Sequence, residues 1–173
     1  MELQGKRIAI LAEEEYEDLE LHYPRLRLLE AGAQVDVIGA GEKSYPSKKG
    51  YPAQVTRQID EVKAQDYDAV VIPGGYSPDK MRRHRAMVEF VRAMHERGAV
   101  VAFICHAGWM AASAGILKGK TVTSFFSIKD DMVNAGAEWV DKSVVRDGKL
   151  ISSRNPDDLP DFCREIIRTL QDK

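Results

Sequence analysis

The sequence AVVAFICHAGWMAASAGIL, residues 99–117, places a short apolar run directly before Cys105 and His106. An apolar run of five residues, here 100–104, is typical of a strand that is buried in a parallel sheet. The small residues that follow the histidine predict a helix that packs closely and ends near Gly115. The stretch therefore predicts a strand, a sharp turn at the cysteine, and a helix.

Strand-like and helix-like segments alternate along most of the chain. Apolar runs at 6–12, 34–40 and 66–75 predict further buried strands, and an amphipathic pattern predicts a helix at 85–99. This alternation predicts an α/β fold with a mostly parallel sheet that is covered by helices on both faces. No linker, repeat or low-complexity segment interrupts the pattern, so we expect one domain that spans residues 1–173.

Composition and charge argue against several classes of protein. The formal net charge of -2 gives no indication of a nucleic acid or an anionic membrane as a partner. No stretch approaches the length of a membrane span, and the first apolar run is too short for a signal peptide. The two cysteines lack a zinc-ligand spacing, and no histidine accompanies the acidic run at 13–20 at such a spacing. We expect a cytoplasmic protein with no metal and no other cofactor.

Cys105 is the main candidate for a reactive group. In an open α/β sheet, functional residues gather at the carboxyl ends of the strands, where Cys105 is predicted to lie. It also precedes a predicted helix, and the free N–H groups of a helix start lower a thiol pKa. A sharp strand-to-helix turn would lift the side chain above the sheet, as in a nucleophile elbow. The alternative is a small buried hydrophobe followed by a capping His106, but the position at a strand end favours a functional role.

Other candidates have simpler interpretations. Cys163 lies inside a predicted helix with no strand before it, so we expect it in the core. Trp109 and Phe125 are expected to be core aromatics, with a position at a pocket entrance as the alternative. The acidic run at 13–20 is expected to be mostly a solvated face. The sequence PGG at 73–75 predicts a tight turn, because the lysine and hydroxyl residue of a phosphate-binding loop are absent.

Several segments together resemble the ThiJ/PfpI superfamily, and in particular its PfpI branch. The segments YEDLEL, YDAVVIPGG, AFICHAG, SAGILKGKTVTS and SIKDDMVNAGAEWVD occur in matching order and spacing along nearly the whole chain. The resemblance implies the fold of the class I glutamine amidotransferases, a flavodoxin-like three-layer sandwich with a nucleophile elbow. It also implies self-association, as a dimer or as a hexamer built from three dimers, with each active site completed across an interface.

The resemblance also assigns roles to individual residues. Cys105 matches the nucleophile, and His106 matches the histidine that follows it. Glu17, in YEDLE, matches a protonated carboxyl that donates a hydrogen bond to the cysteine sulfur. Asp79 matches a carboxylate that completes a Cys-His-acid triad from the neighbouring subunit, where glutamate is common. The backbone N–H groups of Gly75 and His106 match the oxyanion hole. The sequence CHAG departs from the Cys-His-Gly-Pro that is frequent in the family.

The implied activities belong to a stress-related cysteine enzyme that works without a cofactor. We rank carbonyl chemistry first, either as a glyoxalase that converts methylglyoxal to lactate or as a deglycase of methylglyoxal-modified groups. A cysteine peptidase ranks second, because a peptide substrate needs an open groove. The third interpretation is a stress sensor or chaperone without turnover, in which Cys105 is oxidised to the sulfinic acid.

Overall fold

A seven-stranded sheet forms the centre of the protein in the computed structural model, which describes residues 1–172. The strands are β1 (Arg7–Leu11), β2 (Gln34–Gly39), β3 (Ser44–Pro46), β4 (Pro52–Gln54), β5 (Arg57–Gln58), β6 (Ala69–Ile72), β7 (Val100–Ile104), β8 (Thr121–Val122), β9 (Glu138–Trp139), β10 (Val144–Asp147) and β11 (Leu150–Ser153). The helices are α1 (Asp18–Glu30), α2 (Ser77–Met81), α3 (Arg85–Glu96), α4 (Gly108–Ala114), α5 (Lys129–Asn134) and α6 (Leu159–Gln171).

The central sheet has the strand order β10-β11-β7-β6-β1-β2-β5. Every pair of neighbours is parallel except β10 and β11, which form an antiparallel pair at one edge. The strands β3 and β4 form a separate antiparallel hairpin, and β8 and β9 form a short parallel pair. The mostly parallel α/β sheet predicted from the sequence is confirmed.

Helices cover both faces of the sheet, and β7 shows how its sequence permits this. All five residues of β7 are buried, and successive side chains point to opposite faces. Val101 and Phe103 pack in the apolar cluster that includes the buried side chains of α3 and α4. Ala102 and Ile104 pack in a second cluster with the buried side chains of α1 and α6. The result is the flavodoxin-like three-layer sandwich that the resemblance implies.

Loops at the carboxyl ends of β1, β6 and β7 meet at one edge of the sheet. The loop after β6 contacts the loop after β1 through two backbone hydrogen bonds, from Glu17 N–H to Gly74 at 3.2 Å and from Tyr76 N–H to Glu15 at 3.0 Å. Gly75 lies between them with φ +73°, and a Cβ atom there would come within 2.5 Å of the Glu15 oxygen and the Glu17 nitrogen. Only glycine fits this position, as the predicted tight turn requires.

The hairpin formed by β3 and β4 lies beside the same loops. Its turn is held to the loop after β1 by the hydrogen bond from Lys48 N–H to the backbone oxygen of Tyr16 at 2.9 Å. This contact brings Lys48 to the carboxyl edge of the sheet. Among residues 1–172, no helix has the length and apolar character that are needed to cross a bilayer.

We predict that Gly75→Ala destabilises the protein more than Gly98→Ala. Both glycines have positive φ, but a Cβ at Gly98 would meet no atom within 4 Å. Gly98→Ala should therefore lower the free energy of unfolding by about 1–2 kcal/mol through backbone strain alone. Gly75→Ala adds a clash with backbone atoms and should cost about 2–5 kcal/mol. Urea denaturation followed by circular dichroism measures both losses, and equal losses would contradict the close contact at Gly75.

Candidate active site

Cys105 lies at the turn between β7 and α4 and has φ +62°. Positive φ is uncommon for a residue other than glycine and costs on the order of 1–3 kcal/mol. The buried strand before Cys105 and a single 3-10 turn, Cys105–Ala107, after it hold this conformation. The geometry is that of the nucleophile elbow expected from the sequence.

A cavity of about 330 Å³ opens beside Cys105. This volume lies at the lower end of the range for small-molecule sites in proteins. Its lining mixes charged, aromatic and backbone groups: Glu17, Glu20, Lys48, Gly75, Tyr76, Cys105, His106, Phe125, Asn155 and Pro156. The cavity therefore combines the predicted nucleophile with residues from five other segments of the chain.

Glu20 is the carboxyl that interacts with the Cys105 thiol. It is fully buried, and its Oε2 accepts a 2.8 Å hydrogen bond from the backbone N–H of Gly74. Burial is the main cause that raises the pKa of Glu20 to about 8, so the carboxyl holds a proton at neutral pH. Its Oε1 is buried and has no hydrogen-bond partner among the described residues. We place the proton on Oε1, from which it can be donated to the sulfur.

The resemblance assigned the contact with the Cys105 thiol to Glu17, but Glu17 has a different partner. It lines the same cavity, but its Oε2 accepts a 2.9 Å hydrogen bond from Lys48 Nζ. Glu17 immediately precedes α1, whereas Glu20 lies within its first turn and points inward. The contact with the thiol expected of Glu17 is therefore made by Glu20, one turn further along.

The acidic run was expected to be a solvated face, and this was wrong for two of its members. Glu13 is buried and its Oε2 lies within hydrogen-bond distance of His84 Nε2, at 2.8 Å, and Glu20 is 0% exposed. A signal for Glu20 was present in the sequence. It shares helical spacing with Pro24 and Leu28, both buried, so these residues lie on one face of α1.

Burial and the charge of an ionised Glu20 raise the pKa of the Cys105 thiol to about 12. The backbone N–H groups of Gly75 and His106 act in the opposite direction. The net shift is the reverse of the one expected from the helix start, because desolvation of the buried sulfur outweighs these two donors. When Glu20 holds its proton, the repulsion between the two groups disappears. The thiol and the carboxyl thus behave as one coupled pair.

The imidazole of His106 lies against the thiol. Its Nδ1 is 3.2 Å from Cys105 Sγ, although neighbouring residues of a regular helix do not face each other. The turn at the elbow makes this approach possible. Its Nε2 is 3.2 Å from Ser127 Oγ. Burial, together with the charge of Lys48, lowers the pKa of His106, so the ring is neutral at pH 7 and able to accept a proton.

Two aromatic side chains hold the His106 ring in place. Phe125 stacks on it with ring centroids 4.9 Å apart, and Trp109 meets it edge-on at 5.2 Å. Both aromatics are partly buried and also pack against the core clusters. The expectation that they are ordinary core residues was therefore incomplete, because each of them also contacts the site.

The remaining sequence candidates lie outside this cluster. Asp79 is in α2 and forms an ion pair with Arg83, one turn along the chain. Its predicted role concerns the histidine of a neighbouring subunit, and this role stays a prediction. Cys163 is 1% exposed within α6 and packs in the core, as expected. Sequence reasoning did not identify Lys48 or Ser127, which reach the site from a hairpin and from a turn.

Comparisons with known proteins agree with this fold. The family model described as DJ-1/PfpI family matches residues 6–169. Deglycase PfpI from Pyrococcus furiosus is 42% identical over 165 residues, covering 95% of this chain and 99% of the relative. YraA from Bacillus subtilis, provisionally named a cysteine protease, is 39% identical over 169 residues, covering 96% and 99%. The crystal structure of Drosophila melanogaster DJ-1beta is 30% identical with a TM-score of 0.90, covering 97% of this chain and 91% of that chain.

The fold and the site define a class of protein in which a cysteine lies on a sharp turn above a mostly parallel sheet. The chain belongs to the DJ-1/PfpI family, since the family model and relatives of nearly equal length match almost all of it. The names of these relatives describe enzymes, and the contact between a thiol, a carboxyl and an imidazole indicates an enzyme here as well.

We predict that Glu20 is protonated in the native protein. An infrared difference spectrum between wild type and Glu20→Gln should show the C=O band of a carboxylic acid at about pH 6. A buried acid with a raised pKa keeps its proton where an ordinary glutamate has lost it, so the band should be lost only as the pH rises through about 8. Glu17→Gln is the control and should retain the band. A wild-type spectrum without it would show that the carboxyl is ionised.

Proposed function

We propose that this enzyme acts on reactive carbonyls, converting methylglyoxal to lactate or removing methylglyoxal from glycated groups. The observation that carries the proposal is the position of the Cys105 thiol between a carboxyl with a raised pKa and a neutral imidazole. This arrangement supplies a nucleophile, a base and a proton donor with no cofactor. The cavity of about 330 Å³ suits a small dicarbonyl better than a peptide chain.

The proposed reaction begins when the thiol proton of Cys105 moves to His106 Nδ1 and the sulfur attacks the aldehyde carbon. The carbonyl oxygen takes up negative charge beside the backbone N–H groups of Gly75 and His106, which serve as the oxyanion hole. His106 returns its proton to this oxygen, which gives a hemithioacetal. The hydrogen of the former aldehyde carbon then moves as a proton to the neighbouring carbon through an enediol. This step oxidises the first carbon and reduces the second, and it leaves a thioester. One water molecule hydrolyses the thioester, which releases lactate and restores the thiol.

The names of the relatives support two different substrates. The deglycase name of the Pyrococcus furiosus relative supports carbonyl chemistry, and the protease name of the Bacillus subtilis relative supports peptide hydrolysis as the second candidate. Both reactions would use the same nucleophile and the same oxyanion hole. We rank the carbonyl reaction first because the cavity beside Cys105, at about 330 Å³, is small for a peptide chain.

We predict that purified wild-type protein consumes methylglyoxal and forms lactate, and that Cys105→Ala reduces lactate formation to the uncatalysed level. The loss is expected because the thioester cannot form without the sulfur. Cys163→Ala is the matched control, since it removes the other cysteine, which is buried in α6 away from the cavity. It should retain the rate of the wild type. Lactate is quantified enzymatically, alongside loss of the dicarbonyl.

Other results would redirect the proposal. Lactate formation that survives in Cys105→Ala would show that the elbow is not the catalytic site. If neither protein forms lactate, cleavage of a fluorogenic peptide by wild type alone would establish the peptidase. If there is no turnover at all, peroxide treatment followed by mass spectrometry tests oxidation of Cys105 to the sulfinic acid, as a stress sensor requires.

We also propose that the protein self-associates through α1. Four apolar side chains on this helix are between 38% and 60% exposed, at spacings that place them in one stripe: Leu19, Tyr23, Leu26 and Leu29. A contiguous apolar stripe of this kind is typical of an interaction surface. We propose that the same stripe on a second copy of the chain packs against it, which gives a dimer. A hexamer would be an assembly of such dimers.

The apolar stripe of α1 predicts that the protein is an oligomer in solution. Sedimentation velocity should show a dimer or hexamer for wild type, and Leu26→Lys should dissociate it because a charge would be buried in the interface. Val133→Lys is the control, since Val133 is similarly exposed but lies on α5. A monomeric wild type, or an assembly that Leu26→Lys leaves intact, would contradict the role of the stripe.

Both cysteines are free thiols and both are buried. A thiol nucleophile works only while it is reduced, and the cytoplasm keeps thiols reduced. We therefore propose the cytoplasm as the compartment in which this enzyme acts.

A further inference from the structure

We propose that Asn155 is a substrate-binding residue of the cavity, whose side-chain amide donates a hydrogen bond to the second oxygen of a vicinal dicarbonyl. Such a substrate carries two oxygens on adjacent carbons, as methylglyoxal does. The inference deepens the proposed function, because it assigns the group that recognises the second of these oxygens. It rests on the proposed function for the turnover measurements alone, since a separate measurement of binding tests it without turnover.

The strand register places Asn155 and Gly75 on opposite sides of Cys105. The strand β7 lies between β6 and β11, and the three strands are parallel. Ile104, the residue before Cys105, pairs with Ser153, which lies two residues before Asn155. The loop after β11 therefore passes one side of the elbow, and the loop after β6, with Gly75, passes the other. Asn155 and Gly75 both line the cavity.

The side-chain amide of Asn155 has one atom engaged and one free. Its Oδ1 accepts a 3.1 Å hydrogen bond from the backbone N–H of Asp157, which caps the 3-10 turn Pro156–Asp158. Its Nδ2 has no acceptor among residues 1–172 of this chain. Because the oxygen is occupied within the loop, the half-buried amide offers its two N–H donors to a molecule in the cavity.

The loop that carries Asn155 is held by the carboxylate of Asp158, which is 5% exposed. Arg154 donates to this carboxylate from its backbone N–H at 3.1 Å, from Nε at 2.9 Å and from a terminal guanidinium nitrogen at 3.0 Å. The backbone N–H of Asp158 in turn donates to the carbonyl of Asn155 at 3.0 Å. A side chain on such a fixed backbone loses little entropy when it binds a ligand.

The proposed reaction needs a donor at the second oxygen. In the hemithioacetal of Cys105, the first oxygen is a hydroxyl beside the N–H groups of Gly75 and His106. When the proton of the first carbon moves to the neutral His106, its electron pair forms a carbon–carbon double bond and negative charge develops on the second oxygen. The Nδ2 hydrogens of Asn155 stabilise this charge. The proton then adds to the second carbon, and the hydroxyl proton passes to the second oxygen, which leaves the thioester.

Other polar side chains that line the cavity are less suited to this contact. Lys48 Nζ donates to Glu17 at 2.9 Å, and the proton of Glu20 faces the sulfur. Tyr76 is 51% exposed, so water competes for its hydroxyl. Asn155 supplies neutral donors from a fixed loop, which suits an uncharged dicarbonyl.

The experiment compares Asn155→Ser and Asn155→Asp with wild type, and Asn134→Ser is the matched control. Serine and aspartate both cap helical turns, so both variants should keep the hydrogen bond from Asp157 and the melting temperature of wild type. Neither variant has the amide N–H groups. Asn134 is exposed on α5 and does not line the cavity, so Asn134→Ser should match wild type in every measurement.

Turnover of methylglyoxal gives the first readout. Asn155→Ser should lower kcat about 10–100-fold with little change in KM, because the lost donor acts on charge that develops during the reaction. This loss is smaller than that for a fully buried oxyanion donor, since Asn155 is half-buried. Asn155→Asp should lower kcat further, because its carboxylate repels the developing charge.

Protection of Cys105 against alkylation by iodoacetamide gives the second readout, without turnover. Diacetyl has two adjacent carbonyls but no aldehyde hydrogen, so it adds reversibly to the thiol and cannot proceed to a thioester. It should protect wild type, and Asn155→Ser should need about fivefold more diacetyl for the same protection. Butanone lacks the second oxygen and should protect both proteins equally. Without either ligand, Asn155→Ser and wild type should be alkylated at the same rate.

The proposal is overturned if Asn155→Ser keeps the wild-type protection by diacetyl, or if diacetyl protects wild type no better than butanone does. A changed alkylation rate of Asn155→Ser without ligand would place the effect at the elbow, and this also overturns the proposal. If no protein converts methylglyoxal but Asn155→Ser loses the protection by diacetyl, the proposed reaction is rejected and the role of Asn155 is supported.

Discussion

The site depends on the close approach of the Gly74–Gly75 turn to the elbow. A Cβ on Gly74 would lie 2.6 Å from Glu20 Oε2 and 2.7 Å from the Cβ of Cys105. The absence of a side chain allows a buried carboxyl, a strained cysteine and two backbone N–H groups to share a small space. These groups follow the ends of three strands, β1, β6 and β7, so the parallel sheet is what brings them together. The packing of the surrounding residues holds Cys105 in its strained conformation.

Burial determines the electrostatics of this cluster. It raises the pKa of Glu20 and of the Cys105 thiol and lowers that of His106, so all three groups favour their neutral forms. A site with neutral partners is suited to proton transfers within the cluster, because no group must first exchange its proton with solvent. Lys48, an ionised lysine at the margin, is balanced by Glu17. Charge separation therefore arises mainly during the reaction.

The sequence was sufficient for the fold because β7 and its neighbours are apolar throughout and alternate with helical patterns. The elbow could also be predicted, because the sequence places Cys105 between the end of a buried strand and the start of a helix. The sequence was not sufficient to choose between Glu17 and Glu20, which differ by one helical turn and look alike in an acidic run. Lys48 and Ser127 carry no local signal, because long-range packing of a hairpin and of a turn brings them to the cavity. The contacts of Trp109 and Phe125 with the imidazole could not be predicted either, because nothing in the local sequence distinguishes these two residues from ordinary core aromatics.

The margin of the cavity is built from segments that contribute no strand to the central sheet. The hairpin turn that carries Lys48 and the segment from Phe125 to Ser127 both lie outside it. Substitution or lengthening of these segments changes what the cavity admits while the seven strands and the elbow keep their packing. Substrate preference can thus diverge during evolution with little loss of folding stability. A single reactive cysteine can in this way serve relatives that act on different molecules.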